Sequence, residues 1–504
     1  DVIGPALAAA LCVIASSAVG APPEAPPGPL PAVSGAASLS GFFRAAAVGR
    51  VDVVCLGDSN QLYLTDGWDH GWARALEQRF GLYATGLLSP GENGGNGSGS
   101  GYRYQVAGTL SNGQFRYDNA PQPLDLLMDP ASGMAPLAYM YVPSGFLAGA
   151  MVNQGVVLER VSSLDVNAEL DFHVTYAQFP GSSGFFQPVL REAEPPYGTL
   201  LVWPPISTAG AAFAAVTQTF TAPAMTRERN INFRFSPWEN AVTGPFLSYY
   251  VRIENPARAT GAALHTLYAA GGMSAYDMGL ALRRADDAYL SLYFDRVRAL
   301  QGPTKAVLVR INTGLNDRVE GQPSLRSGIT PGSSPEAYAD NLLAIMDRIR
   351  DIWSLNGWPQ EELYFLLSVS HPVATPDEVA LQNYRRLAAG LTAWNPRTAS
   401  TNFDALTAWW ELWSSSWYAD QGYDVNHLLR PGVEALAARE LLAMEDGAAY
   451  HDVNADGALD IEDLYTWHRQ RPDLTGDGSA DVTDARALQR AVRSVERADV
   501  IPAP

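Results

Sequence analysis

Three stretches of the chain are short, mainly apolar runs: Val51 to Leu56, which carries β-branched residues, Ala306 to Ile311 and Leu363 to Ser370. Each reads as a buried strand, because turn residues follow: Gly57-Asp58-Ser59-Asn60, Gly314-Leu315-Asn316-Asp317 and His371-Pro372. Between and after them the apolar positions recur every three or four residues, over Gly71 to Phe80, Ser274 to Leu300, Leu381 to Trp394 and Pro431 to Met444. Ser333 with Glu336 resembles a capping box, and the helix behind it places Tyr338, Leu342, Ile345, Met346, Ile349 and Trp353 on one face. Strands alternating with helices predict an α/β fold around a parallel sheet.

The pattern changes twice. A Gly/Ser/Asn cluster, Ser89 to Gly101, opens a region without long helical periodicity. There, short runs such as Ala138 to Val142, Ala168 to Tyr176, Thr199 to Trp203 and Tyr249 to Ile253 alternate with Pro, Gly and Ser. This predicts a β-sandwich inserted into the α/β domain, over residues 91–261, between core segments 42–90 and 262–445. The last fifty-odd residues carry an internal repeat: two twelve-residue acidic loops, each followed by a helical stretch.

The 504 residues suit about three domains, and 47% apolar content supports sizeable cores. Acidic residues outnumber Lys plus Arg by 53 to 34, a net charge of −19, which disfavours nucleic acid and anionic membranes as partners. The apolar stretch Pro5 to Val19, followed by Val19-Gly20-Ala21, reads as a secretory signal peptide over residues 1–21, with its basic leader missing and its start truncated. A loose Ala-rich tail is the alternative. Residues 22–41 are Pro- and Ala-rich and read as a linker. Cleavage would remove Cys12 and leave Cys55 alone, without an internal disulfide. No other run is long and apolar enough to span a bilayer. A secreted or extracytoplasmic protein is expected, with cell-surface anchoring as an option.

The first acidic loop places Asp452, Asn454, Asp456, Asp460 and Asp463 at positions 1, 3, 5, 9 and 12, with Gly457 at position 6. The second repeats this with Asp473, Thr475, Asp477, Asp481, Asp484 and Gly478. Position 7, which ligates through its backbone carbonyl, is Ala458 in one and Ser479 in the other. This is EF-hand spacing with Asp in place of Glu at position 12. An alternating loop of hard oxygens can aim them all at one Ca²⁺. Thr475 is the poorer ligand, so the second site is expected to be weaker or more hydrated. A solvated acidic tail is the bland alternative. The pair, over residues 448–497, resembles a type I dockerin module. That resemblance implies docking onto a cohesin-like scaffold or cell-surface partner, although the partner-facing residues do not stand out.

A Ser directly after a buried strand can project its hydroxyl above the carboxyl end of a sheet. It needs a base, and the base needs an orienting acid. Asp424 and His427 offer both, three residues apart, near the end of the α/β region. A developing oxyanion needs donors, which Gly272 N–H and the Asn316 amide can supply. Each fragment is weak alone. Taken in order, Gly57-Asp58-Ser59-Asn60, Gly271-Gly272-Met273-Ser274, Gly314-Leu315-Asn316-Asp317 and Asp424 with His427 resemble the four blocks of the SGNH (GDSL-type) hydrolases.

The resemblance implies a flavodoxin-like three-layer α/β/α core and ester hydrolysis through an acyl-serine without a cofactor. It assigns Ser59, Asp424 and His427 to catalysis, and Ser59, Gly272 and Asn316 to the oxyanion. Asp317, next to Asn316, is read separately as a structural residue that orders the Asn316 loop. Asn60 departs from the apolar residue many members carry, and the choice of Gly272 over Gly271 rests on one position. For His70 a structural role at a helix start is favoured over lining the pocket, and His371 fits a structural role at least as well as substrate contact. Trp409, Trp410, Trp413 and Trp417 fit one helix face better than a sugar platform.

Together these features point to a secreted esterase acting on an acylated polysaccharide, chiefly on acetyl groups. The alternatives are a lipase or general carboxylesterase, and a carbohydrate-binding or scaffold protein with a silent core.

Overall fold

The computed structural model describes residues 29–62, 67–87, 102–107, 140–142, 153–158, 162–181, 184–196, 198–212, 214–236, 246–269, 273–303, 305–317, 334–373, 378–407, 411–412, 417–420, 424–448 and 461–470, with positions 485, 486, 488, 489 and 492. The strands of the α/β domain are β1 (Val33–Ser34), β2 (Arg50–Gly57), β14 (Gly261–Ala269), β15 (Val307–Thr313), β16 (Leu363–Val369) and β17 (Thr398–Thr401). The intervening insertion holds β3 (Tyr102–Ala107), β4 (Met140–Val142), β5 (Asn153–Leu158), β6 (Leu170–Pro180), β7 (Phe185–Glu192), β8 (Thr199–Val202), β9 (Ile206–Ser207), β10 (Ala209–Gly210), β11 (Ala214–Ala222), β12 (Ile231–Ser236) and β13 (Phe246–Glu254). A hairpin of β18 (Tyr418–Asp420) and β19 (Asp424–Leu428) follows the main sheet.

The main sheet runs β1-β17-β16-β15-β2-β14. All neighbours from β17 to β14 are parallel, and β1 closes one edge antiparallel. Numbered along the chain, the five parallel strands lie in the order 2-1-3-4-5, that of the flavodoxin-like doubly wound sheet. Period-2 alternation sends successive side chains to opposite faces. Val51, Val53, Cys55, Leu308, Tyr364 and Leu366 pack against α1 (Ser40–Val48), α3 (Trp68–Phe80) and α9 (Arg430–Ala448). Val54, Leu56, Val309, Ile311, Phe365 and Leu367 pack against α4 (Ala275–Arg284), α5 (Asp287–Ala299), α6 (Pro335–Leu355) and α7 (Glu378–Thr392). The domain is therefore a mixed α/β protein with three layers.

Three details differ from the sequence reading. The helical stretch 274–300 is two helices, since Ala285 turns extended and Asp286 opens α5. The cap of α6 is Ser334, whose hydroxyl accepts from Ala337 N–H at 3.1 Å, one residue after the Ser expected; the apolar face of that helix is buried as expected. Residues 33–41, assigned to the linker, belong to the α/β domain instead. β1 pairs with β17, and Val33, Ala36 and Leu39 are buried. So short a set of apolar positions carries no detectable period, which is why the Pro/Ala-rich composition dominated that reading.

In the insertion, one sheet is built on β10-β6-β13-β4 with β11 on β6, and the other on β3-β5-β12-β7-β8 with β9 on β7. Phe172, Val174, Tyr176, Phe186, Leu190, Phe220 and Phe233 fill the space between them, so this is a sandwich. A buried polar cluster ties it to the α/β domain. Asp52 of β2 accepts from Tyr83 Oη (2.8 Å), Arg252 Nη2 of β13 (3.1 Å) and His265 Nε2 of β14 (2.5 Å), with Gln301 beside it. Arg252 and its hydrogen-bond partners hold the Asp52 carboxyl below the ordinary carboxylate range against the opposing effect of burial. Among the described residues, no helix is long and apolar enough to cross a membrane.

Candidate active site

Open α/β sheets place their sites at the carboxyl ends of the strands, where the strand order reverses. Here the first parallel strand, β2, lies between β14 and β15, so the crevice opens beyond the ends of β2 and its neighbours. Ser59 is the first residue of α2 (Ser59–Leu62), two residues past the end of β2. The turn is held by Asp58: its Oδ1 accepts from Asn60 N–H at 2.9 Å and its carbonyl from Gln61 N–H at 3.1 Å. The backbone of Ser59 is thus set at the start of a helical turn, where N–H groups have no intrahelical acceptor. Its side chain lies outside the described residues.

Asn316 stands in the turn after β15 and is half-buried. The turn needs Gly314, whose φ of +114° disfavours a side chain. Asn316 Nδ2 donates to Met273 O at 2.9 Å, next in sequence to Gly272, which itself lies outside the described residues. An amide nitrogen carries two hydrogens, so this bond aims the group and leaves a second donor.

Asp317 joins the same two segments. Its carboxylate accepts from Ala275 N–H (2.9 Å) and Gly314 N–H (3.2 Å), and its carbonyl accepts from Tyr384 Oη (2.9 Å). Burial, helped by the nearby Asp58 charge, pushes its pKa up to about 7, although the backbone hydrogen bonds oppose the rise. Asp58 belongs to the Ser59 turn and Asp317 to the Asn316 loop. Ser274 and Asp277 complete a capping box that opens α4 behind Met273.

Asp424 and His427 lie in β19, whose hairpin comes within 8 Å, Cα to Cα, of α2. His427 is half-buried; the Asp424 side chain lies outside the described residues. The structure therefore brings together the backbone of the Ser59 turn, the Asn316 loop, the segment following Gly272 and the hairpin carrying Asp424 and His427. These segments carry a hydroxyl, an imidazole, a carboxyl and amide N–H groups.

His70 is buried at the start of α3, its Nε2 2.6 Å from Glu434 Oε1 of α9, a structural tie between two helices. His371 is buried at the end of β16, its ring 6.4 Å from that of Trp68. Trp417 packs against the α9 side of the core and lies under Arg439; Trp409, Trp410 and Trp413 lie outside the described residues. So do the loop positions Asp452, Asn454, Asp456, Ala458, Asp460, Asp473, Thr475, Asp477, Ser479, Asp481 and Asp484, and the side chain of Asp463. The first loop is followed by a helix, α10 (Ile461–Gln470), and Trp467 on it packs with Leu488 and Val492.

Two features were not read from the sequence. Asp171, His173 and Glu254 of the sandwich bring ligand-type atoms within 4.8 Å of one another. They are held by Thr221, Thr219 and Arg50, and the Arg50 guanidinium, 2.6 Å from Glu254, supplies positive charge there. The other is a fully buried ion pair, Arg310 with Glu440, behind the Ser59 turn. A charged residue inside the otherwise apolar run Ala306 to Ile311 was its signal.

No family model matches the chain, and no curated protein matches it. Among solved structures it is similar to a peptidoglycan O-acetylesterase, at 14% identity over 82% of this chain and 96% of that one, with a TM-score of 0.48. It is also similar to a family two carbohydrate esterase from Clostridium thermocellum in complex with cellohexaose, at 10% identity over 69% and 99% of the two chains, TM-score 0.23. A xylan-binding module, CBM15, is similar to 31% of this chain over 91% of its own length, at 13% identity and a TM-score of 0.20.

Proposed function

We propose that the chain is a secreted serine esterase of the SGNH type that removes acyl groups, chiefly acetyl, from a polysaccharide. The observation that carries this reading is the convergence of the Ser59 turn, the Asn316 loop and the His427 hairpin at the carboxyl end of the sheet. In this reading Ser59 attacks the ester carbonyl. His427 takes its proton and returns it to the leaving alcohol, and Asp424 fixes the imidazole tautomer. Ser59 N–H, Gly272 N–H and the Asn316 amide hold the oxyanion. The glycan half of the proposal rests on domain company: a β-sandwich inserted into the α/β domain and a dockerin-like tail.

The tail is proposed to bind calcium and to dock on a cohesin-like partner. Its donor set, oxygen side chains at five positions of each loop, suits a hard cation, and a helix with a packed Trp467 follows the first loop as that geometry requires. Asp452, Asn454, Asp456, Asp460, Asp463 and the Ala458 carbonyl would hold one ion; Asp473, Thr475, Asp477, Asp481, Asp484 and the Ser479 carbonyl the other. When bound, the ion would supply folding free energy to the tail.

The test is hydrolysis of p-nitrophenyl acetate against p-nitrophenyl octanoate, with Ser59→Ala as control. Acetate turnover lost in the variant supports the reading and directs a screen of acetylated polysaccharides. Preference for octanoate would move the substrate to lipids. No turnover, with no fluorophosphonate labelling of Ser59, would overturn the esterase.

A further inference from the structure

The buried Arg310–Glu440 pair lies on the sheet face covered by α3 and α9; Arg310 stands on β15 and Glu440 on the buried face of α9, both among apolar side chains. Glu440 is a node. Its Oε2 accepts from Arg310 Nη2 (3.0 Å) and Nε (3.2 Å) and from Trp72 Nε1 (2.8 Å). Its Oε1 accepts from Thr401 Oγ1 (2.5 Å) and from Ser368 Oγ. One carboxylate thereby joins α9 to β15, β16, β17 and α3. The Arg310 guanidinium lies over the rings of Trp68 (4.7 Å) and Trp72 (5.3 Å), an aromatic setting suited to a desolvated cation.

The free arm of the fork goes elsewhere. Arg310 Nη1 donates to Gln61 Oε1 at 3.2 Å, and Gln61, wholly buried, is the third residue of α2, which begins at Ser59. Arg310 itself sits four residues before Gly314, at the root of the Asn316 loop. Glu440 is on α9, which begins two residues after the strand bearing Asp424 and His427. A single guanidinium therefore links the three chain segments that carry nucleophile, oxyanion donor and base.

Stability alone is a weak reason for such a pair. Apolar side chains of similar volume often serve a core as well or better, because desolvating two charges offsets much of their attraction. A planar fork that spans two partners fixes distance and angle, which apolar packing does less sharply. We infer that Gln61, Arg310 and Glu440 are positioning residues: they set the Ser59 turn in register with the His427 hairpin for the proposed ester hydrolysis. The inference rests on the esterase reading of the site. It predicts that breaking the Gln61 arm slows chemistry without weakening substrate binding.

The experiment uses the full chain with Gln61→Met, which keeps the side-chain volume and loses the acceptor, and Arg310→Lys, which can still pair with Glu440 but cannot fork to Gln61. Gln61→Glu, which restores an oxygen at the same place, is the rescue. Readouts are kcat and KM on p-nitrophenyl acetate, the rate of fluorophosphonate labelling at Ser59, and the thermal midpoint. Both variants are expected to lose about tenfold to a hundredfold in kcat and labelling rate, since small misplacements of a catalytic group cost this much. KM should stay within about twofold, and Gln61→Glu should recover most of the loss. Wild-type kcat and labelling in both Gln61→Met and Arg310→Lys would overturn the inference alone. A kcat loss that follows the unfolded fraction, unrelieved in Gln61→Glu, would overturn it as well and leave the network a structural one. Absence of Ser59-dependent labelling in the unmodified protein would overturn the esterase reading and the inference together.

Discussion

Asp317 and Ala275 stand 42 residues apart, and the carboxylate of the first accepts the backbone N–H of the second at 2.9 Å. The same carboxylate holds Gly314 N–H at 3.2 Å, so it binds the Asn316 loop to the start of α4. Each buried donor left without a partner costs about 1–3 kcal/mol. Asp317→Ala, which leaves two, is expected to lower the unfolding free energy by about 2–6 kcal/mol in denaturant titration.

The protonation of Asp317 adds a pH signature. Burial raises its pKa from the ordinary 3.8 to about 7 in the folded protein. A raised folded value means that the folded state holds the proton longer than the unfolded chain. The stability this gives is fully present below pH 3.8 and is lost as pH rises through about 7. Asp317→Asn is neutral at every pH. The thermal midpoint of the parent relative to this variant is expected to fall steadily between about pH 4 and pH 8. Parallel curves would contradict the assignment.

His265 runs the opposite way. Its Nδ1 accepts Leu87 N–H at 2.9 Å, so the ring is neutral with its proton on Nε2, directed at Asp52. Burial holds its pKa below the ordinary 6.5, and the Asp52 charge only partly offsets this. A depressed folded value gives stability that is present above pH 6.5 and is lost as pH falls through the folded value. His265→Gln keeps a donor toward Asp52 and does not titrate. The advantage of the parent over that variant in thermal midpoint is expected to shrink as pH falls from about 7 to about 5. The two variants thus separate two opposed slopes in one pH range.

Asn316 has one amide hydrogen engaged by Met273 O, which fixes the direction of the other. If the second meets a developing oxyanion, Asn316→Ala removes a donor used mainly in the transition state. The expected loss is about a hundred- to thousandfold in kcat, with KM little changed. A loss confined to KM would mean that Asn316 binds the substrate uniformly and is not an oxyanion donor.

The parts of this fold visible in the sequence are those where local pattern and tertiary role agree. β2, β15 and β16 are buried on both faces, so their runs are mainly apolar, interrupted by Asp52 and Arg310, and their boundaries fall within two residues of the reading. α6 shows its face because every third or fourth residue meets one core. β17, four residues of Thr, Ala and Ser, and β1, two residues, acquire strand character only from their neighbours, and neither was foreseen. The turns holding Ser59 and Asn316 could be placed because turn residues follow strands of the parallel sheet; Asp424 and His427 stood out only by their spacing and the family resemblance, since their strand β19 belongs to a separate antiparallel hairpin. Gln61, Arg310 and Glu440 lie 249 and 130 residues apart in the chain, and only the folded sheet brings them to one point.

The tail permits a separation of calcium from catalysis. In Asp452→Ala with Asp473→Ala, each loop loses the first of its proposed oxygen ligands. Ligands that bind only the folded form raise the midpoint with concentration, so calcium should shift the unfolding of the tail in the parent and not in the double variant. Trp467 offers the probe, since it is only 2% exposed and packs against Leu488 and Val492. Its fluorescence is best isolated by comparison with Trp467→Phe, because the chain has 12 tryptophans. Turnover of p-nitrophenyl acetate is expected to stay within about twofold on chelation, because none of the proposed oxyanion or triad positions lies in residues 448–497. A parallel loss of turnover and tail fluorescence would instead mean that the acidic repeat and the esterase domain are energetically coupled. The tail would then be a regulator of the site as well as its anchor.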